Sequence, residues 1–356
     1  MPVNERAPSL SVFSPMDRQE FVEQLKRVGA AIDAALHQWA PADGRAIANL
    51  DDGVRYTLGL DVGDASQRGK RLRPALAVLT CEALGGQRSQ VMPFSVAIEL
   101  MHNYFLIHDD IEDGDVMRHG RPTVWRQFGL AHAINIGDYL HGRVTAVVLR
   151  SLDCGVEAAI VLRLLGLLAE TLEHTHRGQA LDMNARACAD LTVEQYLATV
   201  MEKTGHYLAA PLIGGALIAG AQESLLDEIR AYGSAVGPMY QIVDDLIDLT
   251  EGKGRDERGA DIREGKRSFL VAFALPRLRD AERKELLAIL DRPRQATSVQ
   301  DVARAIRILE ECGAVEQAYT MVEDFSRQAR AIAARMPERL CRLLTGAADF
   351  LGSRTR

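Results

Sequence analysis

Positive charge is in short supply in this chain. Among 356 residues, 42 Lys and Arg face 49 Asp and Glu, a formal net charge of −7 with a pI near 5.8. Nucleic-acid binders need a basic surface to neutralise phosphates, so this balance argues against that class. Cysteine is sparse too: Cys81, Cys154, Cys188, Cys312 and Cys341 are scattered and odd in number, without a CxxC pair. That excludes a zinc ribbon or a disulfide framework and fits five reduced thiols in a reducing, cytoplasmic setting. Residues 1–14 lack the apolar stretch of a secretion signal and read as a flexible tail ahead of one domain over 15–356. The longest uncharged run, Tyr207 to Gln222, has 16 residues and is broken by Pro211, Gly214, Gly215 and Gly220. A bilayer span needs about 20, so this run predicts a buried core helix and no membrane span.

Runs of alternating β-branched residues are also missing, and nearly every segment carries a helical period instead. The first helix is expected to start at Ser14-Pro15 and run through Phe21, Leu25, Val28 and Ile32. Further stripes span Leu72 to Leu84, Ser95 to Ile111, Ala131 to Leu152, Ala158 to Leu172, Val193 to Val200, Thr204 to Ala221 and Leu225 to Leu249. They continue over Ser268 to Leu275, Arg283 to Leu290, Val299 to Cys312 and Val315 to Ala334. Ten or more helices without a composition break predict an all-α fold, one large bundle. Glu251 to Gly265, glycine-rich and charged, reads as a loop of the length that active-site lids have.

Two acidic constellations carry the chemistry. In His108-Asp109-Asp110-Ile111-Glu112-Asp113, Asp109 and Asp113 are four apart and share a helix face. Gln241-Ile242-Val243-Asp244-Asp245-Leu246-Ile247-Asp248 repeats the spacing on an otherwise apolar helix, where carboxylates are costly to bury unless paired or metal-bound. Oxygen ligands without a His or Cys set favour Mg²⁺ over zinc. Basic residues recur beside them: Arg68, Lys70, Arg71 and Arg73 ahead of Pro74, then Arg118, Lys203 next to Thr204, and Lys266-Arg267. Mg²⁺ on one side and Lys/Arg donors on the other is what a diphosphate requires.

In order along the chain, GKRLRP, ELMHNYFLIHDDIEDGDVMRHGRPT, GQALDM, KTG, QIVDDLID and GADIREGK resemble the trans-isoprenyl diphosphate synthases, or polyprenyl synthetases. The resemblance covers Gly69 to Lys266 and implies the isoprenoid synthase fold, a helical bundle around a central cavity. It implies a transferase that condenses isopentenyl diphosphate with an allylic prenyl diphosphate, working as a homodimer with three Mg²⁺ ions per site. Asp109, Asp113 and Asp244 match the metal ligands, with Asp110, Asp245 and Asp248 in support. Arg118, Lys203 and Lys266 match the residues that hold the allylic diphosphate, and Thr204 and Gln241 those that line the reacting carbons. Lys70, Arg73 and His102 match the isopentenyl diphosphate subsite, whereas Arg71 reads as a structural or surface charge and His102 could also be a core histidine. The Glu251 to Gly265 loop would be a lid.

Two departures from the family stand out. Its usual second arginine is His119 here, which also belongs to the isopentenyl diphosphate subsite and, as an imidazole titrating near about pH 6.5, makes a weaker, pH-dependent contact. A lysine common five residues before the aspartate matching Asp261 is Asp256 here, with Lys253 nearby. Tyr104 and Phe105 lie five and four positions before Asp109, about one turn or 5 to 6 Å deeper along the helix. Two aromatics there should floor the cavity and stop elongation early, and in the family such a pair resembles farnesyl rather than geranylgeranyl synthases. The alternative is that one of the two only packs in the core.

Other readings of the same residues are a terpene cyclase on this fold, which would have lost Lys70, Arg73 and His102, and an HD-type metal phosphohydrolase built on His108-Asp109. The phosphohydrolase leaves Gln241 to Asp248 unexplained, and an inactive regulatory subunit conflicts with the intact aspartates.

Overall fold

A computed structural model describes residues 16–41, 46–63, 69–250 and 258–353. Helix α1 (Arg18–Trp39) opens on Asp17, whose carboxylate accepts from the Glu20 amide at 2.8 Å. The cap is therefore Asp17 rather than Ser14, because an acidic side chain three residues before a free first-turn amide satisfies it directly. Ser14, Pro15 and the expected tail lie outside the described residues. The chain continues through α2 (Leu50–Thr57), α3 (Leu72–Ala83), α4 (Arg88–Glu112), α5 (Val124–Phe128), α6 (Leu130–Leu149), α7 (Ala158–Ala185) and α8 (Val193–Val200). A π-helical turn, Met201–Gly205, leads into α9 (His206–Ile218) and α10 (Glu223–Thr250). Then come α11 (Ala260–Arg263), α12 (Phe269–Ala274), α13 (Asp280–Leu290), α14 (Val299–Glu311), α15 (Ala314–Ala333) and α16 (Glu338–Gly352).

Among the described residues the all-α expectation holds, with one small exception. Met117–Arg118 (β1) and Arg121–Pro122 (β2) pair antiparallel, and His119 and Gly120 between them have φ of 51° and 73°. Two consecutive positive φ values make the two-residue turn whose twist suits a hairpin.

α4 is the central helix, packed most extensively on α6 and also on α3 and α9. It begins two turns before Ser95 and carries Pro93 inside it, which forgoes the i→i−4 bond to the Ser89 carbonyl. The Tyr207–Leu217 stretch of α9 is buried throughout, as its uncharged sequence predicts. Among the described residues no helix is long and apolar enough to cross a membrane.

Two glycines allow the approach that positions the π-helical turn. A Cβ on Gly178 of α7 would lie 2.2 Å from the Lys203 backbone nitrogen, and one on Gly237 of α10 would lie 2.4 Å from the Gly205 Cα. α7 and α10 thus close on the two faces of that turn and aim Lys203 between them.

Candidate active site

The C-terminal end of α4 and the last two turns of α10 bring the two acidic motifs to one cleft. Asp109 and Asp244 both line it, with Asp182 of α7, Lys203, Thr204, Gln241 and Lys266. Lys203 Nζ lies 2.8 Å from Asp182 and 3.6 Å from Asp109. Burial would lower its pKa, but these two carboxylates more than offset that and raise it, so the ammonium stays charged. Thr204 donates to Gln241 Oε1 at 3.3 Å, joining the π-helical turn to α10.

Asp113 lies deeper. Its carboxylate is bound by Arg186 and, at 3.0 Å, by Lys266. Burial opposes its ionisation, yet Lys266, Lys203 and Arg186 hold it well below the usual carboxylate range. Asp110 instead turns toward Arg118, which reaches it at 2.6 Å and Asp109 at 3.7 Å. Burial pushes the Asp110 carboxyl up to about 6, with Arg118 only partly opposing. Asp245 lines the cleft as well, its carboxylate accepting from Gln241 Nε2 at 3.2 Å, the Tyr196 hydroxyl at 2.8 Å and the Phe269 amide at 2.9 Å. Asp248 is buried and accepts from the Asp261 amide at 3.1 Å, anchoring α11 to α10. Of the expected lid, residues 251–257, including Lys253 and Asp256, lie outside the described residues.

A second cavity, lined by His102, Phe105, His108, His176, Tyr207 and Arg73, shares Asp109, Lys203 and Thr204 with the first. Phe105 is on its wall; Tyr104 is not, and packs behind Phe105 with ring centroids 5.2 Å apart. A third cavity, lined by His102, Asp110, Arg118, His119 and Arg121, meets the second at His102. His102 is held well below the ordinary imidazole value, first by burial and then by Arg73 and other cations, and is therefore neutral near pH 7. The Arg73 guanidinium sits 4.6 Å from the Tyr207 ring centroid and 5.7 Å from that of Tyr240.

Lys70 is not brought to these cavities: it is exposed, with its ammonium 5.9 Å from the Phe350 ring centroid. Arg71 is a structural charge, buried between Asp33 at 2.9 Å and Glu99 at 2.6 Å, while Arg68 lies outside the described residues.

Sequence reasoning gave no role to Asp182, Arg186, Glu264 or Arg294. Asp182 had a signal, being the one acid within GQALDM. Arg294 had none, since it reaches Asp115 and the Asp113 carbonyl, each at 3.0 Å, from some 180 residues away.

Residues 64–309 match the sequence model of the family described as polyprenyl synthetase. This chain belongs to that family. A geranylgeranyl diphosphate synthase of Methanosarcina mazei is 32% identical over 339 residues, 94% of this chain and 98% of the relative. The crystal structure of a geranylgeranyl pyrophosphate synthetase from Pyrococcus horikoshii superposes with a TM-score of 0.82 at 29% identity, covering 94% of this chain and 99% of that one. A geranylgeranyl pyrophosphate synthase from Corynebacterium glutamicum, solved with isoprenyl diphosphate and magnesium, matches with a TM-score of 0.80 at 25% identity over 95% and 100% of the two chains. The fold is the isoprenoid synthase fold, and the protein is a transferase, a short-chain prenyl diphosphate synthase.

Proposed function

We propose that the protein joins isopentenyl diphosphate head-to-tail, 1′-4, to an allylic diphosphate, and that its main product is farnesyl rather than geranylgeranyl diphosphate. The observation that carries this reading is the placement of Asp109, Asp244, Lys203 and Lys266 around one cleft that opens onto the cavity walled by Phe105. Asp109 and Asp244 line the cleft and Asp113 lies beside it against Lys266, and as carboxylates all three offer oxygen donors, which suit Mg²⁺. Bound there, three ions would neutralise charge on the departing diphosphate.

Lys203, Lys266 and Arg118 donate to the same diphosphate as its bond to the allylic carbon breaks. Phe105, Tyr207 and Thr204 surround the cation left behind and keep water from it. Arg73 and neutral His102, with His119 on the hairpin, orient isopentenyl diphosphate so that its double bond attacks that carbon. The condensed cation then loses a proton to the departed diphosphate. Lys70 would reach the isopentenyl subsite only by leaving Phe350.

A homodimer is part of this reading. Leu130, Ile134 and Leu149 on α6 and Leu162, Leu181 and Met183 on α7 are exposed, an apolar grouping on two successive helices that a second copy would cover. Cytoplasmic residence follows from the cysteine usage alone.

Incubation with Mg²⁺, isopentenyl diphosphate and dimethylallyl, geranyl or farnesyl diphosphate, followed by chain-length analysis, tests the activity. A fifteen-carbon diphosphate supports the reading, and a twenty-carbon one moves it to geranylgeranyl. A hydrocarbon or alcohol formed without consumption of isopentenyl diphosphate would make the protein a cyclase.

A further inference from the structure

Outside the aspartate cleft, three potential ligands meet where α7, the π-helical turn and α9 adjoin. His174, Glu202 and His206 each place one ligand atom within 4.8 Å of the others. His174 Nδ1 donates to Glu202 Oε2 at 2.9 Å, and the His174 and His206 rings are stacked, 3.8 Å apart and inclined by 9°. Two imidazoles and one carboxylate differ in kind from the oxygen-only cleft. Nitrogen donors select zinc-like ions over Mg²⁺, and two His with one Glu leave a fourth tetrahedral position for water.

We propose that His174, Glu202 and His206 form a site for one Zn²⁺-class divalent ion, distinct from the Mg²⁺ cleft, which ties α7 to α9 across the π-helical turn.

The two rings are stacked and nearly parallel, so one ring must turn for a nitrogen of each to converge on a single ion. His206 is exposed and is the ring with room to do so, while His174 is anchored through Glu202. The charged groups around the set are Glu170, Glu173 and Arg177. Arg177 approaches Glu202 at 3.6 Å and Glu173 at 3.7 Å, and an ion on Glu202 displaces it. Burial and the neighbouring His174 hold His206 below the ordinary imidazole value, with Glu202 and Glu170 opposing, so the ring is neutral at pH 7, the form that ligates. The site also bears on the reaction. Glu202 precedes Lys203, so an ion fixing Glu202 restrains the turn that carries Lys203 into the cleft.

The test uses the full chain, freed of metal with EDTA and held in excess Mg²⁺ to occupy the carboxylates, then titrated with Co²⁺ and Zn²⁺. The expected result is one Co²⁺ per chain with the intense visible bands of a tetrahedral site, displaced by one equivalent of Zn²⁺. His206→Gln, His174→Ala and Glu202→Gln should each abolish the bands and weaken Zn²⁺ binding at least tenfold. X-ray absorption of the Zn²⁺-loaded wild type, which depends on no variant folding, should give two imidazole nitrogens at about 2.0 Å. Missing bands, bands unchanged in all three variants, or an oxygen-only shell would overturn the proposal.

Discussion

The Tyr104 hydroxyl donates to Nε2 of His176 at 2.7 Å, while His176 Nδ1 donates to the Leu172 carbonyl at the same distance. A carbonyl can only accept, so this bond fixes the tautomer and leaves Nε2 free to receive Tyr104. Stacked also on His141, with centroids 5.1 Å apart, Tyr104 forms a fixed backing for Phe105. The two aromatics therefore divide the expected floor, one as its surface and the other as its support.

Removing both rings, Tyr104→Ala with Phe105→Ala, is expected to lengthen the product by at least one isoprene unit. Phe105→Ala alone should do most of this, since only that ring lines the cavity. Tyr104→Phe keeps the ring and loses one hydrogen bond, so it should cost about 1 kcal/mol of stability with little change in product. Chain-length analysis of the three proteins decides. An unchanged product in the double variant would remove the floor.

A methyl group at residue 178 has nowhere to go. Gly178→Ala drives a Cβ against the Lys203 backbone nitrogen at 2.2 Å, and backbone cannot swing aside as a side chain can. Overpacking of this kind costs about 1–3 kcal/mol, and the shift should be felt at Lys203 as a fall in kcat. Urea melts paired with steady-state kinetics test both parts. A variant as stable and as active as wild type would show that α7 does not position the turn.

The sequence made the C-terminal ends of α4 and α10 readable because their acids interrupt apolar stripes. It made Lys203 readable too, through KTG. The second half of α7 was not: His174 to Ala185 is polar enough to hide the 3.6-residue period, yet it supplies His176, Gly178 and Asp182. α2 and α16 also escaped the reading. α16 shows an apolar stripe at Leu340, Leu343, Leu344, Ala347 and Leu351 that could have been found beyond Ala334, whereas the short, polar α2 offers no such stripe. Arg186 and Arg294 meet Asp113 and Asp115 only in the folded chain, and no local spacing announces such pairs.

pH reports on Glu264. Burial pushes its carboxyl up to about 7, Lys266 opposing at 2.6 Å and the carboxylates of Asp261, Asp113 and Asp115 adding to the rise. Lys266 cannot hold Glu264 down because its one ammonium is shared with Asp113 and Asp261. A folded value above the ordinary 4.5 means the folded chain keeps a proton that the unfolded chain sheds. That stabilisation is complete below about 4.5 and is lost as pH rises through about 7. In EDTA, wild type should therefore lose stability relative to Glu264→Gln between pH 5 and 8. Parallel melting curves for the two proteins across that range would refute the assignment.

The basic motif after Gly69 holds arginines with opposite duties. Arg71 is buried with Glu99 and Asp33 and also donates to the Leu58 carbonyl, tying α3 to α1, α4 and the turn after α2. Arg71→Leu leaves Glu99 buried without its partner, an arrangement that costs about 3–5 kcal/mol, and Arg71→Lys cannot restore three separate contacts from one ammonium. Arg73 lies against Tyr207 at the cavity wall. Arg73→Ala should leave the melting temperature within a few degrees while raising KM for isopentenyl diphosphate about tenfold or more, the worth of one charge-assisted contact of about 1.5–3 kcal/mol. Melting curves and substrate titrations of the two variants separate these roles. A stable Arg71→Leu protein, or an Arg73→Ala protein with unaltered KM, would show that the motif is divided differently.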